Sequence, residues 1–212
     1  MKKLMLLSVV VCVIAGVMSA APQCSTVTTL ADLTVAGYSC QSQDKIFSNF
    51  VYNDFSGNMP ASAVNATLIF NVIGSNVDEH GWEFAPDAGN WSSNFTLGFT
   101  ISVVAGTNGT FIDASKDQIN TGELPNGIIV TDTQSVGTMI TKGVLGQETK
   151  QLNYPGVLSV NTSVSAAISG GDGMHSLEQY FYEQTGVPEP MSLLLVGSGL
   201  LGLGLVRRRR KV

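Results

Sequence analysis

His80 and His175 are the only imidazoles in a chain of 212 residues. Neither stands in an HExxH pair, a Gly-x-Ser-x-Gly elbow or a Cys-His arrangement, so the familiar sequence routes to metal hydrolysis and nucleophilic catalysis are missing. Asp78-Glu79-His80 reads as a solvated turn ahead of a strand. Carboxylates for glycoside hydrolysis can be drawn from Glu79, Glu83, Asp113, Asp117 and Glu123, but the separation that chemistry needs is spatial and is not written in sequence spacing. Gly170-Gly171-Asp172-Gly173 and Asp87-Ala88-Gly89-Asn90 carry oxygen ligands of the kind calcium takes, without the spaced carboxylates of a calcium loop, and read as plain turns. Trp82 and Trp91, with Tyr52 and Phe84, are aromatics that a sheet could hold against a sugar ring. Trp82 reads as core, and Trp91, set in a polar turn, is the more interesting of the two. No catalytic residue, metal ligand set or cofactor is predicted, and charged residues are only 13% of the chain, which leaves few groups for acid–base work.

The charge is unevenly spread. Between Ala21 and Gly186 stand four lysines (Lys45, Lys116, Lys142, Lys150), no arginine and fifteen Asp or Glu residues, an excess of eleven negative charges. Such a surface repels phosphate, which excludes nucleic acid as a natural partner. Ahead of this acidic segment, Lys2 and Lys3 precede an apolar run from Leu4 to Val17 and the small residues Ser19, Ala20 and Ala21. That is the pattern of a secretory signal peptide over residues 1–20, read by the Sec machinery and cut after Ala20. Cys12 leaves with it, so Cys24 and Cys40 remain in an oxidising compartment and are expected to pair as a disulfide.

Residues 187–212 read VPEPMSLLLVGSGLLGLGLVRRRRKV. Pro188 and Pro190 fix φ and bias their predecessors to extended geometry, so Val187, Pro188, Glu189 and Pro190 form a stiff extended peptide. Met191 to Val206 carries no charge and predicts a single transmembrane helix of roughly 24 Å, whose cationic end, Arg207, Arg208, Arg209, Arg210 and Lys211, stays cytoplasmic by the positive-inside rule. This arrangement resembles the PEP-CTERM sorting signal of exported bacterial proteins. The resemblance implies recognition and cleavage by a membrane-embedded exosortase, and release to a cell surface or an extracellular, polysaccharide-rich matrix.

The segment between the two signals, residues 21–186, predicts an all-β core of sandwich or jelly-roll type. Ser25 can cap a short helix with Val27, Leu30, Ala31 and Thr34 on one side and Gly37 at its end, flanked by the two cysteines. From Lys45 the period changes to two. Strands are expected over Ile46–Phe55, buried on both faces, and over Ala63–Ile73, Gly81–Ala85, Asn94–Val104, Ile128–Val130, Val136–Ile140, Val157–Ile168 and Leu177–Tyr182. Gly106–Gly109 reads as a hairpin turn, Gly170–Gly173 as flexible, and Glu183–Gly186 as a tether. Cys24 to Phe50 also resembles the start of a recurring group of exported PEP-CTERM proteins, through Asp44, Lys45, Phe47, Ser48, Asn49 and Phe50. Asn65, Asn90, Asn94, Asn108 and Asn161 each open an Asn-x-Ser/Thr sequon, which reads either as a glycosylation acceptor or as ordinary strand and turn polarity. The function expected from all this is a non-enzymatic surface or matrix protein. Its alternatives are a carbohydrate-binding module, with extracellular polysaccharide as partner, and a glycan hydrolase.

Overall fold

In the computed structural model the described residues are 21–73, 77–105, 107, 110–121, 127–143, 147–169 and 173–185. The expected signal peptide, residues 1–20, and the expected sorting segment, residues 187–212, lie outside them. Among the described residues, no helix is long and apolar enough to cross a membrane.

The chain runs β1 (Val27–Thr29), α1 (Leu30–Leu33), β2 (Ser39–Ser42), β3 (Lys45–Asp54), β4 (Val64–Val72), β5 (Val77–Pro86), β6 (Phe95–Val103), β7 (Thr110–Thr121), β8 (Ile128–Gln134), β9 (Gly137–Lys142), β10 (Gln147–Val157), β11 (Ser159–Ile168) and β12 (Met174–Thr185). These strands form two six-stranded sheets, ordered β2-β3-β6-β11-β8-β9 (sheet A) and β1-β4-β5-β12-β7-β10 (sheet B). Every ladder is antiparallel. The sheets meet face to face. Phe50 and Phe47 of sheet A pack on Trp82 of sheet B with ring centroids 5.9 and 5.7 Å apart, and Phe99 of sheet A packs on Phe181 of sheet B at 5.8 Å. Edge-to-face and tilted contacts of this kind add to the burial energy of the rings.

The N-terminal staple is present, with a shorter helix than the periodicity suggests. Val27–Thr29 is a strand on β4, and the helix is a single turn, capped by Thr29 and not by Ser25. Thr29 Oγ1 accepts from the Asp32 amide while the Asp32 carboxylate accepts from the Thr29 amide, a reciprocal capping box. Gly37 at φ +78° turns the chain back, and Cys24 bonds Cys40.

β3 is not buried on both faces. Asn49 sits at φ +56° in a bulge between Ser48 and Val51, so an extra residue resets the alternation and sends both Phe47 and Phe50 into the core, while Val51 is exposed. Asp78-Glu79-His80 is part of β5, not a turn, because the strand begins at Val77; Glu79 and His80 are buried. Glu183 is not tether but the buried end of β12. The sequence gives no apolar signal for β10, QETKQLNYPGV, which is an edge strand of sheet B with Pro155 inside a register shift between Asn153 and Val157. The expected β6 strand stands as read, with Phe95, Leu97, Phe99 and Ile101 facing inward.

Candidate functional site

The aromatics singled out as a sugar platform do not form one. Trp82 and Phe84 are fully buried between the sheets, and Trp91 is 1% exposed, stacked on Phe95 at 4.7 Å with its indole N–H donating to the Tyr52 hydroxyl. A bridge from Trp91 to Met174 pulls that turn inward. Of the candidate carboxylates, Asp117 faces the core, Glu79 and Glu83 lie on the outer face of sheet B, and Glu123 is outside the described residues, as are Gly170 to Asp172. Asp87 sits at the end of β4–β5, accepting from Asn65, and is a plain turn residue.

Alternation along β12 shows which face is open. Leu177, Gln179 and Phe181 point at sheet A, so Ser176, Glu178, Tyr180 and Tyr182 point away from it. Register then places side chains in ranks across the sheet: Asn71, Glu79 and Tyr182; Gly81, Tyr180, Lys116 and Gln151; Thr67, Glu83, Glu178, Gln118 and Thr149; and Ser176 beside Asn120. The result is an outward face of tyrosine, amide and carboxylate groups on five adjacent strands, on which Glu79, Ser176, Glu178 and Tyr180 are buried by their neighbours while Tyr182, Lys116, Gln118 and Asn120 stay partly exposed. The outer face of sheet A differs. There the ranks are Ser48, Thr100 and Asn161, then Val51, Gly98, Ser163, Thr133 and Thr138, with exposed Ile129, Ile140 and Lys142 beyond them.

The polar groups on sheet B hold one another in place. Lys116 Nζ lies 3.8 Å from the centre of the Tyr180 ring and 5.5 Å from that of Tyr182, and donates to Glu79 at 3.2 Å. Asn71 donates to the other oxygen of Glu79 at 2.8 Å. Glu178 accepts from Gln118 at 2.7 Å, from Asn120 at 2.8 Å and from the Tyr180 hydroxyl, and Asn120 also donates to Ser176 at 2.7 Å. Burial, with the neighbouring Glu178 charge, holds the Glu83 carboxyl above its ordinary range. Burial also raises the phenols of Tyr180 and Tyr182, so both stay neutral donors. Lys116 is raised despite its burial, because Tyr182 and Glu79 stabilise its charge. Such a face can offer fixed donors and acceptors to a ligand rich in hydroxyls, with the half-exposed ring of Tyr182 available to a pyranose face.

The sequence matches no family model and no curated protein. Three solved structures are similar in part. One, TmCBM61 in complex with beta-1,4-galactotriose, is 15% identical, with 64% of this chain and 88% of that chain covered and a TM-score of 0.33. A family 11 carbohydrate-binding module from Clostridium thermocellum, in complex with a beta-1,3-1,4-mixed-linked tetrasaccharide, is 10% identical over 69% of this chain and 91% of that one, with a TM-score of 0.28. The family 11 module of the cellulosomal cellulase Lic26A-Cel5E of the same organism is 10% identical over 66% and 88%, with a TM-score of 0.25.

A second polar cluster lies inside the sandwich, where sequence reading placed only a turn. Asp44, His80 and Glu183 bring ligand atoms within 4.8 Å of one another, a spacing a metal ion could use. The space already holds a cation. Lys45, fully buried, donates to Asp44 at 2.7 Å and to Glu183, while His80 Nε2 stands 3.4 Å from Glu183. Burial and the Lys45 charge lower the imidazole to about 4, so it is neutral at pH 7. An ammonium held by two carboxylates locks β3 of one sheet to β12 of the other, and the neutral His80 of β5 packs beside them with neither ring nitrogen hydrogen-bonded.

Proposed function

We propose that this chain is an exported, non-catalytic protein of the cell surface or extracellular matrix, and that it holds polysaccharide on the outer face of sheet B. The observation carrying the glycan reading is the array of Tyr182, Tyr180, Lys116, Gln118, Asn120, Glu178 and Glu79 in register on adjacent strands. Polar side chains ordered before binding lose little entropy when a sugar arrives, and a glycan offers matching hydroxyls along its length. Export is supported by the signal-like residues 1–20 and the PEP-CTERM-like residues 187–212, and the Cys24–Cys40 bridge suits an oxidising compartment. On this reading the Sec machinery and an exosortase are processing partners, and the C-terminal helix holds the protein in the membrane until cleavage.

Native gel electrophoresis through soluble polysaccharides of the galactan, mixed-linked glucan and acidic matrix classes tests the binding. At least one should retard the purified protein, and Tyr182→Ala or Asn120→Ala should weaken the retardation tenfold or more. Ser163→Ala on the opposite face should leave it unchanged. No retardation in any gel, or retardation indifferent to Tyr182→Ala, overturns the reading. The register that sets Glu83 directly opposite Glu178 favours a second reading, a glycan hydrolase, since cross-strand carboxylates lie near the separation of a retaining pair. Release of reducing ends from a retarding polysaccharide, abolished by Glu83→Gln, would make it the better one.

A further inference from the structure

Asp117 of β7 and Asp132 of β8 face each other between the sheets, 1% and 0% exposed. Among the described residues neither has an ion pair with a lysine, in contrast to the Asp44 and Glu183 carboxylates that share Lys45. Lys116 is adjacent to Asp117 in sequence but lies on the opposite side of the sheet, over Tyr180. Gln179, directly opposite Asp117 on β12, reaches into the pair: its Nε2 is 3.4 Å from Asp117 Oδ1, 3.2 Å from Asp132 Oδ2 and 3.2 Å from Thr162 Oγ1. Gln134 also donates to Asp132 Oδ2 and accepts from Ser115. Buried oxygens without a hydrogen bond include Asp117 Oδ2, Asp132 Oδ1, Gln179 Oε1, Thr141 Oγ1 and the Tyr154 hydroxyl. Gln179 is 1% exposed and Thr141 0%, and Thr141 lies one diagonal step from Asp132 across the β8–β9 ladder, on the same core face.

Two carboxylates shut away from water need compensation, because an unpaired buried charge costs several kcal/mol. Burial and mutual repulsion push Asp117 well up, and burial raises Asp132 as well, so the pair calls for either a proton or a cation. A shared proton satisfies one oxygen from each carboxyl and leaves the Thr141 hydroxyl without a partner. A cation accounts for the two carboxylate oxygens and the Thr141 oxygen together. Donors that are entirely oxygen, with no histidine or cysteine, select a hard ion over zinc or copper. Two negative charges select a divalent ion, and a dry inter-sheet site favours calcium, which sheds its water more readily than magnesium. The Gln179 amide is nearly symmetric in shape, so a half-turn about its last bond offers Oε1 where Nε2 now stands.

We propose that Asp117, Asp132 and Gln179, with the hydroxyls of Thr162 and Thr141, bind a calcium ion between the sheets. The candidate site is empty in this structure. The ion would neutralise both charges of this pair, where the single ammonium of Lys45 offsets one of the two in the other, and would make the sandwich depend on a cation abundant outside cells. This inference is independent of the glycan reading.

The test uses the purified protein, stripped with EDTA and titrated with calcium chloride at pH 7. Equilibrium dialysis should find one calcium per chain, and the melting temperature should rise by roughly 5–10 °C at a hundredfold excess over the dissociation constant. Magnesium should give a smaller rise. Asp117→Asn with Asp132→Asn keeps the shape and removes both charges. That variant should bind no ion, show no calcium shift, and melt in EDTA at or above the wild type in EDTA. If the double variant does not fold, Asp117→Asn alone should weaken binding at least a hundredfold. Wild type that binds no calcium, and whose melting temperature falls from pH 5 to pH 8 equally with and without it, would show a carboxyl pair sharing a proton and overturn the proposal. One bound ion per chain that survives Asp117→Asn unchanged would place the ion elsewhere and overturn it too.

Discussion

Lys45 Nζ, at the start of β3 in sheet A, donates to the Glu183 carboxylate near the end of β12 in sheet B, and both side chains are buried. The link joins residues 138 apart in sequence. It closes one end of the core with a charge pair where the rest is closed with aromatic rings. Removing one partner leaves the other charge without compensation in a low-dielectric interior, at a cost of about 3–5 kcal/mol. Lys45→Met should therefore lower the unfolding free energy by that order in urea. Adding Glu183→Gln to it should recover a large part of the loss, since the more deeply buried of the two carboxylates facing Lys45 then carries no charge and Asp44 is partly exposed. Equal instability of the single and double variants would mean that the ammonium stem, not its charge, is what the core needs.

His80 gives this end of the sandwich an acid response of definite sign. Its folded value of about 4 lies below the ordinary 6.5, so between those two values the unfolded chain binds a proton that the folded chain refuses. Stability from this residue is fully present above pH 6.5 and falls as the pH drops towards 4, by about 3 kcal/mol in all. The raised carboxyls Glu183, Asp117 and Asp132 act in the opposite direction, because their folded forms hold protons longer than the unfolded chain does. The His80 contribution is therefore isolated by difference. The stability gap between wild type and His80→Asn, followed by urea denaturation from pH 7.5 to 4, should shrink as the pH falls. A constant gap would show that His80 does not titrate differently in the two states.

The Cys24–Cys40 bridge closes a short loop around α1, with a sequence separation of 16. Constraining an unfolded chain over a loop of that size stabilises the fold by about 3 kcal/mol in the chain-entropy model. Cys40 is fully buried beside Leu30 and Leu33, so Cys24→Ser is the cleaner variant of the two. It should lower the melting temperature by roughly 6–12 °C. Alkylation of the unreduced wild type should label no thiol in the β-sandwich core.

How much of this was legible in sequence depended on whether a side chain's role was local. β6 alternates without interruption, and its inward set Phe95, Leu97, Phe99 and Ile101 follows from period two alone. β3 hid its facing because the Asn49 bulge places Phe47 and Phe50 on one side although they are three apart. β5 was shortened because Asp78, Glu79 and His80 look like solvent residues. Glu79 is met by Lys116 of another strand of its own sheet, and His80 packs beside the Lys45–Glu183 pair, and no local pattern announces either neighbour. The same holds for the proposed glycan face. Tyr180 and Tyr182 are spaced by two on one strand, a signal that was present, but Lys116, Gln118 and Asn120 join them only through the β7–β12 register.

The sorting reading makes the last prediction. Two prolines in Pro188-Glu189-Pro190 remove backbone donors and hold an extended shape on which an enclosed protease site can close. Replacing both with alanine keeps the apolar run Met191–Val206 and the arginines, so insertion into the membrane should survive while recognition fails. In the native host, the wild-type protein should leave the cell shortened by roughly the residues after the motif, and the double variant should stay full-length in the membrane fraction. Mass spectrometry of the C-terminal peptide reads the difference directly. If both proteins keep Arg207, Arg208, Arg209 and Arg210, the motif is a spacer, and the chain is held by a plain single-pass anchor with its β-sandwich displayed on the outer surface.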